Sequence, residues 1–222
     1  MVKFDYYGVE VLDLKNERRE YKRSTLSREK LCIDPFDQFK VWIDDVADSS
    51  MSDPTAMVLA TSDSKGRNSQ RTVLMKEFSS TGLVFYTNLK SKKAQDLEVN
   101  KRVSVLFPWY ELDRQVQIRG FTEMLDKSEV EKYFKSRPKM SQISAWVSKQ
   151  SSIIKSKSLL EDRFQEIQNH FLNREIDLPD FWGGIRIIPD EFEFWQGGER
   201  RLHDRFVYKK NKDGWLISRL SP

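Results

Sequence analysis

The sequence predicts an α+β protein, mainly antiparallel β, in which peripheral helices surround a β-barrel core. Three observations carry that prediction. From Thr55 onward, short apolar runs of strand period recur between tight turns, the pattern of an antiparallel barrel or sandwich. Segments of helical period interrupt those runs. Aromatic residues make up 12% of the 222 residues, and six are Trp, which suits sheet faces closed by large rings.

The elements follow in chain order. Residues 1–30 are highly charged around Arg18-Arg19-Glu20-Tyr21 and read as a mobile or loosely docked arm with a short helix. Asp34-Pro35 then opens a helix, with Phe36, Phe39, Ile43 and Val46 on one stripe and Trp42 beside them. Strands are expected at 55–61 and 70–76, joined by a Gly66-centred turn, and at 83–87 after a turn at 79–82. A short helix over 91–99 leads to strands at 103–109 and 115–120. Ser128-x-x-Glu131 reads as a capping box for a helix that ends at Ser136, where Arg137-Pro138 stops it. Residues 141–148 read as helix, and Leu160, Phe164, Ile167 and Phe171 give a further amphipathic one. Strands resume at 182–188, 191–196, 205–208 and 215–219, the last two joined at Asp213-Gly214. No repeat or linker divides the chain, so residues 31–222 read as a single domain.

Lys and Arg total 38 against 34 Asp and Glu, a surplus of +4. That is too small to indicate nucleic acid without clustering. Cys32 is the only cysteine, which excludes an intrachain disulfide and Cys-rich metal sites and fits a reducing, cytoplasmic setting. The N-terminus lacks an apolar signal core and no run reaches transmembrane length, so neither export nor membrane spanning is expected.

Several groups of residues can carry chemistry. The run from Tyr86 to Lys93 passes from a strand end into a helix start, where unpaired amides and the helix dipole favour an anion. Ser91 is placed to cap that helix, while Lys92 and Lys93 sit where a bare helix start would prefer Asp or Glu. An arriving phosphate accounts for them, and so does plain solvation. Arg71-Thr72-Val73-Leu74-Met75-Lys76 brackets an apolar strand with two cations. Residues five apart on a regular strand face opposite ways, so either a bulge or two separate targets is required. Tyr133 and Arg137 share a helical face, with Ser141 past the proline, and can meet a second phosphate; a core tyrosine with a wet tip is the plainer alternative. Gln150-Ser151-Ser152 is a polar run after a segment bearing Trp146. Finally, W-Q-G-G-E-R-R-L-H-D-R-F at 195–206 sets a cationic loop behind an alternating strand, suited to an anion or to solvent.

In this order the residues resemble the pyridoxine (pyridoxamine) 5′-phosphate oxidase family. The runs that carry the resemblance are R-R-E-Y at 18–21, D-P-T-A-M at 53–57, V-F-Y-T-N-L at 84–89, L-F-P-W at 106–109 and R-Q-V at 114–116. They continue as Y-F-x-S-R-P at 133–138, A-W-V-S-K-Q-S-S at 145–152, F-W-G-G at 181–184, F-W-Q-G-G-E-x-R-L-H-D-R-F at 194–206 and R-L-x-P at 219–222. The resemblance implies a homodimer of FMN-binding split β-barrels with two flavins at the subunit interface. It implies oxidation of pyridoxine 5′-phosphate or pyridoxamine 5′-phosphate to pyridoxal 5′-phosphate, with O2 reduced to hydrogen peroxide.

Matching positions place the flavin contacts at Arg71, Thr72, Val73, Leu74, Met75, Lys76, Tyr86, Thr87, Ser91, Lys92, Lys93, Gln115, Gln150, Ser151, Trp195 and Arg205. Substrate contacts fall to Lys76, Tyr133, Arg137 and Ser141 around the phosphate. Arg201 and His203 fall at the pyridine ring as the implied catalytic pair, His203 orienting the C4′ substituent or taking its proton. Arg18 and Tyr21 close over the ring, which makes residues 1–30 a lid; no metal is implied. Arg200 lies at a position the motif leaves free and reads as solvated. The chain departs from the family's usual Ser-Arg-Lys at Ser91-Lys92-Lys93, where lysine keeps the charge and loses the bidentate fork. A non-catalytic flavin- or haem-binding split barrel is an alternative that would not need Tyr133, Arg137, Ser141, Arg201 and His203. An RNA-binding module would need its cations in one stripe, whereas these fall into separate sets.

Overall fold

The computed structural model describes residues 2–4, 10–12 and 14–222. Strands β1 (Val2–Phe4) and β2 (Glu10–Leu12) pair with each other. Asp34 opens helix α1 (Pro35–Ala47) as expected: its carboxylate accepts from the Phe36 amide at 2.8 Å, and proline occupies the first turn, where no amide is needed. The apolar stripe seats α1 on the sheet, with Phe39 against Phe107 at 5.0 Å and Trp42 against Phe194 at 5.2 Å between ring centres.

The nine-stranded antiparallel sheet comprises β3 (Ala56–Ser62), β4 (Asn68–Leu74), β5 (Glu77–Ser79), β6 (Gly82–Asn88), β7 (Arg102–Trp109), β8 (Arg114–Met124), β9 (Trp182–Gln196), β10 (Asp204–Asn211) and β11 (Gly214–Leu220). Its order is β11-β10-β9-β8-β7-β3-β4, with β6 also on β9 and β5 on β6. The Lys76 amide donates to the Val84 carbonyl at 2.8 Å, joining the end of β4 to β6 and curling the sheet into a split barrel. Alternation along β3 and β7 puts Met57, Leu59, Val105 and Phe107 inside, as a half-buried strand requires. Helices α2 (Lys92–Val99), α3 (Lys127–Ser136), α4 (Lys139–Val147) and α5 (Ser158–His170) lie outside the barrel. A second apolar cluster packs Phe134, Ile143 and Val147 against Val84 and Trp182 of the sheet. Among the described residues no helix is long and apolar enough to cross a membrane.

Several boundaries differ from expectation, each for a physical reason. The strands expected at 182–188 and 191–196 are one strand, β9. One of its edges follows β8 from Ile185 to Gln196, while the other leaves β6 after Ile187 and takes up β10 from Glu191. Pro189, which has no amide to donate, falls in the change-over. Its neighbour across the ladder is Gly120, beside a register shift; a Cβ there would lie 2.1 Å from the Ile188 oxygen. Ser128 does not cap α3: the helix starts earlier, behind Asp126, with no side-chain cap, and Glu131 reaches forward to Lys135 at 2.9 Å instead of back. β4 stops at Leu74, and β5 forms within a segment expected to be loop. Of the expected arm, residues 14–30 lie on the barrel. Arg19 pairs with Asp113 at 2.6 Å, buried Leu26 donates its amide to Asp204 at 2.9 Å, and the short helix is one 3-10 turn, Arg28–Lys30. The expectation for residues 1, 5–9 and 13 lies outside the described residues.

Candidate active site

A cavity of about 590 Å³ opens where the ends of β4, β6 and α4 meet the start of α2. Among the described residues its lining carries five cations, Arg71, Lys76, Lys92, Lys93 and Arg137, and no carboxylate. Lys93 is only 7% exposed and donates to Thr87 Oγ1 at 3.1 Å, Ser91 Oγ at 3.3 Å and Gln150 Oε1 at 2.9 Å, all neutral acceptors. Burial, and then the charge of Arg71, push its pKa down. Ser91 Oγ faces Lys93 and makes no cap bond to its own helix, and the first helical amide, that of Lys92, donates to Ser151 Oγ at 3.2 Å. The Lys92 ammonium turns along the helix and pairs with Asp96.

The facing problem on the 71–76 strand is resolved by its early end. The Met75 amide turns to the Thr55 carbonyl at 3.0 Å and the Lys76 amide to Val84, so Arg71 and Lys76 both reach the cavity. The same break sends the Met75 side chain into the core, and Met75 is the one residue of the six that does not line the cavity. Arg71 is held by the Leu59 and Ser69 carbonyls, each at 3.1 Å, and by Thr61 Oγ1 at 2.8 Å.

One wall is aromatic. Tyr86 stacks on Tyr133 with centroids 3.9 Å apart and on Trp182 at 5.2 Å, and the Arg137 guanidinium lies 4.9 Å from the Trp182 ring centre. Arg137 Nη1 is buried without a hydrogen-bond partner, and burial lowers its pKa. A buried cationic donor left unmatched is a socket for an anion. Burial raises the pKa of both tyrosines, helped for Tyr86 by its 2.9 Å bond to Glu77, which takes the one Tyr86 proton; Tyr133, which is not part of the cavity lining, stays a phenol able to donate. Sequence reasoning missed Trp182, Ser144 and Ser148 in the lining. The signal for Trp182 was its Gly183-Gly184 partner pair: a Cβ on Gly184 would lie 2.9 Å from Tyr86 Cε1, so the stack needs glycine there. Ser141 is half-buried in the first turn of α4 and stays off the lining.

Of the remaining predicted residues, Tyr21, Gln115, Trp195, His203 and Arg205 form a second cluster. Strand register sets Gln115, Trp195 and Arg205 side by side across β8, β9 and β10. Tyr21 meets Trp195 and His203 edge-on at 5.6 and 5.5 Å, and Trp195 lies 4.7 Å from His203. His203 Nδ1 accepts from the Gly198 amide at 3.1 Å, which puts the proton of the neutral ring on Nε2. Arg200 and Arg201 both have positive φ, 53° and 62°, and the Arg200 amide is tied to Glu20 of the arm at 3.2 Å. Arg18, Arg200 and Arg201 are exposed. Arg205 is answered within the chain by Glu193 at 2.7 Å. Trp182 and Trp195 are 195 − 182 = 13 residues apart on β9, roughly 40 Å of strand at ~3.3 Å per residue. One chain therefore holds the two clusters apart.

Fold and site together define a split-barrel protein with a cation-lined, aromatic-walled cleft. Residues 43–171 match the family model for pyridoxamine 5′-phosphate oxidase, and residues 182–222 match that for the pyridoxine 5′-phosphate oxidase C-terminal dimerisation region. A pyridoxine/pyridoxamine 5′-phosphate oxidase of Pectobacterium atrosepticum is 50% identical over 96% of this chain and 94% of its own length. One of Yersinia enterocolitica is 52% identical over 95% and 97%. The chain belongs to the pyridoxamine 5′-phosphate oxidase family. Among solved structures, PhzG from Burkholderia lata, in complex with tetrahydrophenazine-1-carboxylic acid, superposes with a TM-score of 0.84 at 27% identity, covering 89% of this chain and 98% of that one. A pyridoxamine 5′-phosphate oxidase-related, FMN-binding protein of Nostoc punctiforme, at 14% identity and TM-score 0.68 over 86% of this chain and 100% of its own, shares the fold.

Proposed function

We propose that the chain is an FMN-dependent oxidase that converts pyridoxine 5′-phosphate and pyridoxamine 5′-phosphate to pyridoxal 5′-phosphate, with O2 reduced to H2O2. One observation carries the reading. The cleft collects five cations and no carboxylate, and one of them, Arg137, keeps a buried, unmatched Nη1. The relatives at about half identity are named for this reaction. The residues fit FMN on the same ground: Lys93 is buried among neutral acceptors beside Arg71 and lacks an anion that a phosphate supplies. Lys93, Arg71, Thr87, Gln150 and Ser151 would hold that phosphate. When bound, FMN accepts hydride from the substrate carbon and passes the electrons to O2.

The chain's own residues supply binding and orientation. Arg137 and Tyr133 take the substrate phosphate as guanidinium and phenol donors. His203, its Nδ1 occupied by the Gly198 amide, presents Nε2–H and so orients the C4′ substituent by donating to it, in preference to taking its proton. The 1–30 arm acts as the lid, with Tyr21 already packed on His203 and Trp195. The separation of the clusters within one chain supports a homodimer in which a second copy brings Trp195, Arg201, His203 and Arg205 to the cleft, with FMN at the interface. The purified protein should be yellow and should turn pyridoxine 5′-phosphate into pyridoxal 5′-phosphate and peroxide. A colourless protein that takes up no FMN would sink the reading; bound FMN without turnover would make it a non-catalytic flavin barrel.

A further inference from the structure

We infer that Asp96 is a positioning residue of the phosphate cleft, anchoring Arg71 through Thr61 and drawing Lys92 away from Lys93. Asp96 lies on the buried side of α2, 2% exposed, and is not part of the cavity lining. One carboxylate oxygen, Oδ2, accepts from the Thr61 hydroxyl at 2.7 Å, and the other accepts from the Lys92 ammonium. Thr61 is 1% exposed, so its single proton is committed to Asp96. Its oxygen is then turned to accept from Arg71 Nη1 at 2.8 Å. The relay therefore runs from carboxylate to hydroxyl to guanidinium, and ends on a cation that faces the cavity. Burial works to raise the Asp96 pKa, yet the hydrogen bonds from Lys92 and Thr61 hold it below the ordinary value, so a full negative charge sits beneath a lining that has none.

A bare negative charge behind a phosphate site weakens phosphate binding. A positioning carboxylate does the opposite, because without it the preorganised donors relax. In Asp96→Asn the amide turns its oxygen to the Lys92 ammonium and its NH2 to Thr61, so the hydroxyl is no longer held as a donor and its oxygen is no longer reserved for Arg71. Held only by a neutral oxygen, Lys92 swings back towards Lys93, whose charge is already disfavoured by burial and by Arg71. The two roles thus predict opposite signs for one substitution.

This inference rests on the reading of the cleft as the FMN phosphate site. Ligand-free wild-type protein and the variants Asp96→Asn, Thr61→Val and Thr61→Ser are titrated with FMN and with riboflavin, which lacks the phosphate, following flavin fluorescence. Asp96→Asn and Thr61→Val should each weaken FMN binding about tenfold and leave riboflavin unchanged, while Thr61→Ser, which keeps the hydroxyl, stays at the wild-type value. Unchanged or tighter FMN binding by Asp96→Asn would overturn the inference, as would equal losses for FMN and riboflavin. If Asp96→Asn fails to fold, the two Thr61 variants decide: matching affinities for Val and Ser remove the relay. Wild-type protein that binds no FMN would overturn the reading of the cleft itself, and shows this before any variant is made.

Discussion

Lys93→Met separates stability from cofactor binding. The lysine ammonium is 7% exposed and has three neutral hydrogen-bond acceptors and no counter-ion. Three such bonds from a charged donor, at ~1.5–3 kcal/mol each, are of the same order as the desolvation cost of several kcal/mol for an unpaired buried ion. Ligand-free Lys93→Met should therefore melt close to the wild-type temperature. A charged hydrogen bond to phosphate is worth ~1.5–3 kcal/mol, so FMN binding should weaken roughly 10- to 150-fold. The pH dependence follows from the lowered pKa. Folded, ligand-free protein holds this proton less tightly than the unfolded chain does, so wild-type stability rises as pH climbs from the lowered value to the ordinary lysine pKa of ~10.4. FMN affinity falls over the same window, because the phosphate needs the charged form. Both slopes should vanish in Lys93→Met. Thermal melts and FMN titrations from pH ~8 to ~10.5 measure them; FMN affinity within twofold of wild type would refute the reasoning.

Three further outcomes are expected. Lys92→Arg should bind FMN at least as tightly as wild type, since arginine can keep the Asp96 pair and add a second donor edge; clearly weaker binding in a fluorescence titration would count against this placement. Arg201→Leu should lower turnover while the absorption spectrum still shows bound flavin, and loss of the flavin would mean that Arg201 serves the cofactor. Gly184→Ala puts a methyl 2.6 Å from Leu125 Cδ1 and 2.9 Å from Tyr86 Cε1, and should cost ~1–3 kcal/mol in chemical denaturation; an unchanged midpoint would mean that the Tyr86–Tyr133 stack gives way freely.

Much of the fold was legible because it is written at short range. The Asp34-Pro35 helix start, the α1 stripe and the hairpin that turns at Gly66 depend on residues a few positions apart. The site was legible as a list of cations, but their partners were not. Ser91 looks like a cap by its position, yet its hydroxyl faces Lys93 and it makes no cap bond to its own helix. Glu131 looks like half of a capping box, yet Lys135 claims it. Met75 looks like its neighbours on the strand, yet a turn of the backbone toward Thr55 buries it. Asp96 drew no notice at all, since a carboxylate in a short polar helix has no local mark of burial.

By itself the sequence determined the period of most elements, though not of β1, β2 and β5, most of their starts and stops, and which side chains could carry charge. Those properties follow from the chemistry of the residues and from neighbours along the chain. The tertiary structure alone decided which charges are answered and which are left over. It joined two predicted strands into β9, whose length holds Trp182 and Trp195 at opposite ends. It also gave Lys92 and Arg205 carboxylate partners while leaving Lys93 and Arg137 without any. The physical reason is that desolvation and ion pairing depend on what packs against a group in space, and across separations such as Thr61 to Asp96 or Thr87 to Gln150 no local pattern records it.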